Sequence, residues 1–193
     1  ERGTVELNAT PFELTPLAES CIENCRGRAE FNNIELIYHI DSHISGFIRG
    51  DQEKLQQIII NLLQFALRHV EQGEVVLSIV PGENSLTSFS IRSGHNALLE
   101  RNTLPDNRAL GSSDHLNLTI AEQYVKLMGG FLSVQSFIDG GVSINFSIPL
   151  EAQLGSTMLA QDDNLILQGR RLLIVDDNAT CCTIIEQQAL QWG

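Results

Sequence analysis

At 193 residues the chain is long enough for one medium domain with a packed core and some remainder. Its 24 acidic residues against 12 Lys and Arg give a formal charge of -12, which argues against nucleic acid or an anionic membrane as partner, since both are held by clustered Lys and Arg. The longest apolar run is about five residues and no signal-peptide pattern opens the chain, so the expectation is a cytoplasmic protein with no membrane contact in this stretch.

The elements follow in chain order. TVELNAT reads as a short strand or extended lead-in, within a first segment of 1–11. Thr15-Pro16 reads as a helix start, a hydroxyl cap followed by Pro at the first helical position. Ala18, Cys21, Ile22, Cys25 and Ala29 continue that helix on one face, and Asn32-Asn33 break it. Residues 34–40, IELIYHI, alternate Ile34, Leu36, Tyr38 and Ile40, as a half-buried strand does. A turn and a short strand then lead to Gly50. The four cysteines form two pairs, Cys21 with Cys25 and Cys181 with Cys182, and neither has the spacing of a zinc or redox site. They read as small apolar residues in a reducing compartment.

GDQEKLQQIIINLLQFALRHV, residues 50–70, is the centre of the pattern. Leu55, Ile58, Ile59, Leu62, Ala66 and Val70 make a core-facing stripe, and Asp51 stands at a preferred cap position. Gln57, Asn61, Phe65 and Arg68 share a second face, polar except for one ring. VVLSIV (75–80), a turn at Pro81-Gly82-Glu83-Asn84 and LTSFSIRS (86–93) predict a hairpin. Residues 94–115 lack periodicity, and a loop of that length inside a compact domain is usually functional, often a lid.

Leu118, Ile120, Ala121, Tyr124, Val125 and Met128 predict a further helix, ended by Gly129-Gly130. FLSVQSF (131–137) and VSINFSIPL (142–150) predict a final hairpin across Asp139-Gly140-Gly141. These elements make a two-layer α/β sandwich over 12–150, with helices on one face of a mixed, mostly antiparallel sheet. Residues 151–169 read as a linker. In 170–193 a buried strand, Leu172 to Val175, two carboxylates and a helix predict the first β-α unit of a doubly wound domain, too small to bury a core alone.

In that order the segments resemble a known family. GDQEKLQQIIINLLQFA is similar to the N-box helix of the ATP-binding domain of sensor histidine kinases, the GHKL or Bergerat-type fold shared with Hsp90, MutL and gyrase. IRSGHNA stands at the family's first glycine box, LNLTIAEQYVKLMGG resembles the helix after the second, and SINFSIPL resembles the terminal strand. ERGTVELNATPFEL is similar to the segment that joins the dimerisation helices to this domain, and LLIVDDNAT resembles the start of a response-regulator receiver. The resemblance implies a piece of a bacterial hybrid sensor kinase, dimeric as a whole, working in a phosphorelay. Orphan hybrid kinases of the RetS type, which control a partner kinase by direct binding, are the suggested relatives.

The family holds Mg-ATP with a few named groups, and most are altered here. Asn61 matches the first Asn of the N-box, but Phe65 stands where the resemblance implies the magnesium-binding Asn. A phenyl ring offers no oxygen to an ion that demands octahedral oxygen ligands. Phe65 reads equally as a core aromatic at helical spacing. Arg68 could still attract phosphate, although an exposed, solvated Arg is the commoner case.

Aligned on Gly94, Arg92 falls where the family's Asp accepts from the adenine amino group, and Arg has only donors. A hairpin slipped by one residue would present Ser93 instead. Asn96 replaces the second glycine of that box. Ser113, His115 and Asn117 fall where the second box has glycines whose backbone N–H groups cradle phosphate. The expectation is therefore a vestigial pocket with little or no ATP binding, no cofactor in this fragment and no catalytic residue. The partners implied are another histidine kinase, or the protein's own dimerisation helices and receiver. The alternative is a working kinase domain with divergent boxes that phosphorylates a His in a phosphorelay; a passive spacer is a third reading. Asp176 and Asp177 are apt for magnesium at a complete receiver, whose phosphoacceptor Asp would lie beyond this chain.

Overall fold

The computed structural model describes residues 6–94, 115–137, 141–152 and 169–191, apart from the side chains of His115 and Gln191. The expected lid, 95–114, and most of the expected linker lie outside the described residues.

A five-stranded sheet carries the fold, in the order β2 (Ile34–Ile40), β4 (Gly73–Pro81), β5 (Leu86–Gly94), β7 (Val142–Pro149), β6 (Phe131–Ser136). Only β2–β4 is a parallel pair; the other three ladders are antiparallel, as hairpins require. A second sheet of three short strands sets β3 (Phe47–Gly50) between β1 (Thr10–Glu13) and β8 (Glu151–Ala152). The strand pairing thus extends from Thr10 to Ala152, so the first two residues of the expected linker are in fact a strand.

Three helices cover one face of the large sheet. In α1 (Leu14–Phe31), Leu14, Leu17, Ala18, Cys21, Cys25 and Ala29 are buried at helical spacing. It begins earlier than the Thr15-Pro16 signal suggests, because the Leu14 N–H finds the Gly46 carbonyl at 3.1 Å. Pro16 is then the third helical residue, still in the first turn, where a missing N–H costs nothing. Asn32 caps the C-terminal end, and Asn33 reverses the chain at φ +52°.

Asp51 starts α2 (Gln52–Arg68) as expected: its side chain accepts from the Lys54 N–H at 3.0 Å and from the Asn8 N–H at 2.9 Å. The whole apolar stripe, Leu55 to Val70, is buried between helices and sheet. α3 (His115–Leu127) packs beside α2 and ends at Gly129, which takes φ +79°. Beneath the helices the rings of Phe89 and Phe146 stack at 4.5 Å between neighbouring strands.

The terminal unit differs from expectation. A helix, α4 (Ala179–Gln191), forms, but Leu172 to Val175 form no strand, and Leu172, Leu173 and Val175 are exposed. A strand is held by its neighbours, and among the described residues nothing pairs with this one. Moreover α4 does not join the helical layer. Its Ile184 packs against Val76 and Ile37 on the opposite face of the large sheet.

Candidate functional site

Of the site residues expected from the sequence, Asn61, Phe65 and Arg68 lie on the second half of α2, Gly94 at the end of β5 and Asn117 at the start of α3, and α2 packs against both of the other elements. The stripe on α2 is not one polar face. Gln57 and Arg68 are exposed, Asn61 is half-buried, and Phe65 is wholly buried in the core between helices and sheet. The Phe65 ring stacks on His69 at 4.1 Å between centroids. His69 Nδ1 donates to the Phe65 carbonyl at 2.8 Å, which fixes the imidazole over the ring.

Asn61 Nδ2 is buried and meets no acceptor among the described residues. A buried amide donor without a partner is costly and is normally satisfied by protein, water or ligand. One turn further along α2, Gln64 Oε1 accepts a long 3.5 Å hydrogen bond from Nδ2 of Asn117 at the start of α3. Lys54 Nζ sits 5.4 Å from the centre of the Tyr124 ring, a second tie between the two helices.

At β5 the structure overturns the placement of Arg92. Side chains alternate across a sheet, so paired residues share a face. Arg92 pairs with Val76 and Ser143, and Val76 lies under α4, so Arg92 stands on the face away from α1, α2 and α3. Ser93 pairs with Val75, lies on the helix side with Ile91, and is 1% exposed. Its Oγ accepts from the Val142 N–H at 2.9 Å. The one-residue slip is the arrangement that forms. Gly94 follows, buried, at φ +122°, a conformation open to glycine alone without strain. Asn96 and Ser113 lie outside the described residues, as does the His115 side chain.

Asp176 and Asp177 are exposed, and Asp176 Oδ1 accepts from the Asn178 N–H at 2.8 Å. Among the described residues no group of three His, Cys, Asp or Glu could hold a metal ion. Sequence reasoning missed their neighbour Glu74, a buried carboxylate in a strand of Val and Ile. The signal was available, since a lone acid in such a strand needs a partner. Its partners are Thr180 Oγ1, donating at 2.6 Å, and Asn178 Nδ2 at 2.9 Å. Between this strand edge and the 177–179 turn lies a cleft of about 340 Å³.

Cys21 and Cys25 are free thiols on the buried face of α1, and burial pushes them up to about 12 and about 11. Burial, with Asp176 and other carboxylates nearby, also raises Cys181.

This architecture is that of the GHKL-type ATPase domain of histidine kinases. Among solved structures, the chain superimposes on full-length ShkA in complex with AMPPNP with a TM-score of 0.75 at 21% identity, over 98% of this chain and 40% of that one. The catalytic domain of histidine kinase ThkA gives 0.58 at 18% identity, over 75% and 96%. The curated relatives are sensor and hybrid histidine kinases. The sensor protein TorS of Escherichia coli is 31% identical over 180 residues, 90% of this chain and 20% of TorS. The circadian input-output histidine kinase CikA of Synechococcus elongatus is 25% identical over 199 residues, 96% of this chain and 26% of CikA. The chain thus spans about a fifth to a quarter of the length of these relatives. No protein-family profile matches it. Among the described residues no helix is long and apolar enough to cross a membrane.

Proposed function

We propose that this chain is the nucleotide-domain portion of a cytoplasmic two-component signalling protein, a hybrid sensor kinase, and that it signals through protein contacts with little or no use of ATP. In this reading residues 12–150 are the degenerate domain, 1–11 leads in from dimerisation helices, and 170–193 begins a receiver. The partners are another histidine kinase, as for an orphan hybrid kinase, or the protein's own helices and receiver within a dimer.

One observation carries the reading: Phe65, one turn beyond Asn61 on α2, is locked into the core by its stack on His69. No oxygen is offered there, and magnesium requires oxygen ligands. The helix-side residue at the end of β5 is a serine whose Oγ already accepts a backbone N–H, so the charged acceptor for an adenine amino group is missing too. The residues present do not fit Mg-ATP as the resemblance implies it is held, and no phosphoryl-transfer step is assigned to them. Asp176 and Asp177 would need the rest of a receiver to bind magnesium.

A second reading, a working kinase pocket with divergent boxes, draws on Asn61 alone, since a phosphate oxygen would satisfy its buried amide. Calorimetric titration of the chain with Mg-ATP separates the two. The expected result is no saturable heat up to millimolar nucleotide; a binding isotherm in that range overturns the proposal in favour of the working pocket.

A further inference from the structure

The outer face of the large sheet has no part in the nucleotide reading, yet it carries a buried, hydrogen-bonded polar cluster. Most of that face is hydroxyl and amide: Ser78, Ser90 and Asn145 form one row across three strands. At the β2–β4 edge the character changes. Glu35 and Glu74 lie side by side, followed by the apolar pair Ile37 and Val76. Left open to water, two adjacent carboxylates repel and an apolar pair gains nothing, so this corner suits a partner with donors ahead of an apolar side chain.

α4 has that order. Asn178 uses both ends of its amide: Oδ1 caps the helix, accepting from the Thr180 N–H at 2.8 Å and the Cys181 N–H at 3.1 Å, while Nδ2 bridges Glu35 and Glu74. Thr180 Oγ1 donates to Glu74 at 2.6 Å, and both residues are 4% exposed. One turn on, Ile184, 5% exposed, closes over Val76 and Ile37. The Asp176 carboxylate is tied in as well, since its Oδ1 holds the Asn178 N–H that starts the turn.

We propose that this corner of the sheet is a specific intramolecular docking surface, with Glu74 as the clasp that holds the acidic-pair turn and α4 against the ATPase-type domain. The occupant is the chain's own segment 176–184. Docking fixes the acidic pair relative to the large sheet, and loss of the clasp frees it. This inference does not depend on whether the pocket on the other face binds nucleotide.

Amide hydrogen exchange on the full chain tests it with two variants, one on each side of the contact. Glu74→Ala removes the acceptor. Thr180→Val removes one hydroxyl at nearly constant shape and helix preference. Both are expected to exchange about tenfold faster across residues 180–191, while amides of Leu77, Ile79 and Phe89 keep the parent rate. Unchanged exchange in α4 in either variant overturns the proposal. So does acceleration in α4 that is matched in the sheet ladder for both variants, because that would report a general loss of structure.

Discussion

The rings of Phe65 and His69 stack at 4.1 Å with 27° between their planes, one helical turn apart on α2. The same turn is closed by the hydrogen bond from His69 Nδ1 to the Phe65 carbonyl. Phe65 is therefore a structural residue of α2 and the core. Phe65→Ala is expected to destabilise the chain by about 3–5 kcal/mol, the range for emptying a buried aromatic site. Phe65→Leu should cost less. Urea midpoints for both variants check this, and a loss under about 1 kcal/mol for the alanine would show that the ring is not packed as described.

The cap on α2 makes a second test. Asp51 is buried and accepts from two backbone N–H groups, of Lys54 and Asn8, so it holds the helix start and the incoming chain together. Asp51→Ala should cost about 1–2 kcal/mol, at the upper end for a lost cap. The two N–H groups bind different oxygens of Asp51, so Asp51→Asn keeps one acceptor, sets its NH2 against the other N–H and should recover only part of the loss. Thermal unfolding of the three proteins decides; equal stability of the alanine and asparagine forms would contradict the account.

Burial holds the Cys21 and Cys25 thiols up at about 12 and about 11, above the ordinary value of 9.0. A group raised on folding binds more protons in the folded chain than in the unfolded one between those values. Its contribution is fully present below about pH 9 and is lost as pH rises from there towards the folded values. The Cys21→Ala/Cys25→Ala double variant should show a flatter fall in urea midpoint between about pH 8 and about pH 10.5 than the parent. At neutral pH, iodoacetamide should leave both thiols unmodified until the chain unfolds, as mass spectrometry would read directly.

Gly130 admits no side chain. A Cβ there would lie 2.0 Å from the Ser147 carbonyl oxygen and 2.7 Å from Ile148 Cγ2, and the first of these is backbone in the β6–β7 ladder. Gly130→Ala is expected to destabilise by about 1–3 kcal/mol through overpacking. The effect should appear as faster exchange in β6 and β7; an unperturbed variant would mean that the strand yields freely.

The elements with strong local signals were legible in the sequence. The stripe from Leu55 to Val70 and the Asp51 cap read correctly because periodicity and capping are local properties of α2. The two hairpins read correctly for the same reason. Arg92 was misplaced because a strand has period two, so a shift of one residue exchanges its faces. Only the pairing of Ser93 with Val75 resolves it, and that pairing is not local. The three-stranded sheet was partly hidden, since its strands are short and its partners Phe12, Ile48 and Ala152 lie far apart in the chain. LLIV at 172–175 has the composition of a buried strand, but its conformation depends on neighbours the sequence pattern cannot supply. For Phe65 the sequence left a core aromatic and a ring in the pocket equally open, and the packing, which buries it wholly, decides for the core.

The short sheet has a mechanical meaning. Pro11 of β1 and Glu151 of β8 both pair with Arg49 of β3, so they flank it from either side. Both outer strands run antiparallel to β3 and hence parallel to each other, about two ladder widths or roughly 10 Å apart. Tension applied to the backbone before Thr10 and after Ala152 would pull these strands lengthwise in opposite directions. Such a load would fall on all the rungs at once instead of peeling them one by one, so the small sheet is arranged to resist it in shear.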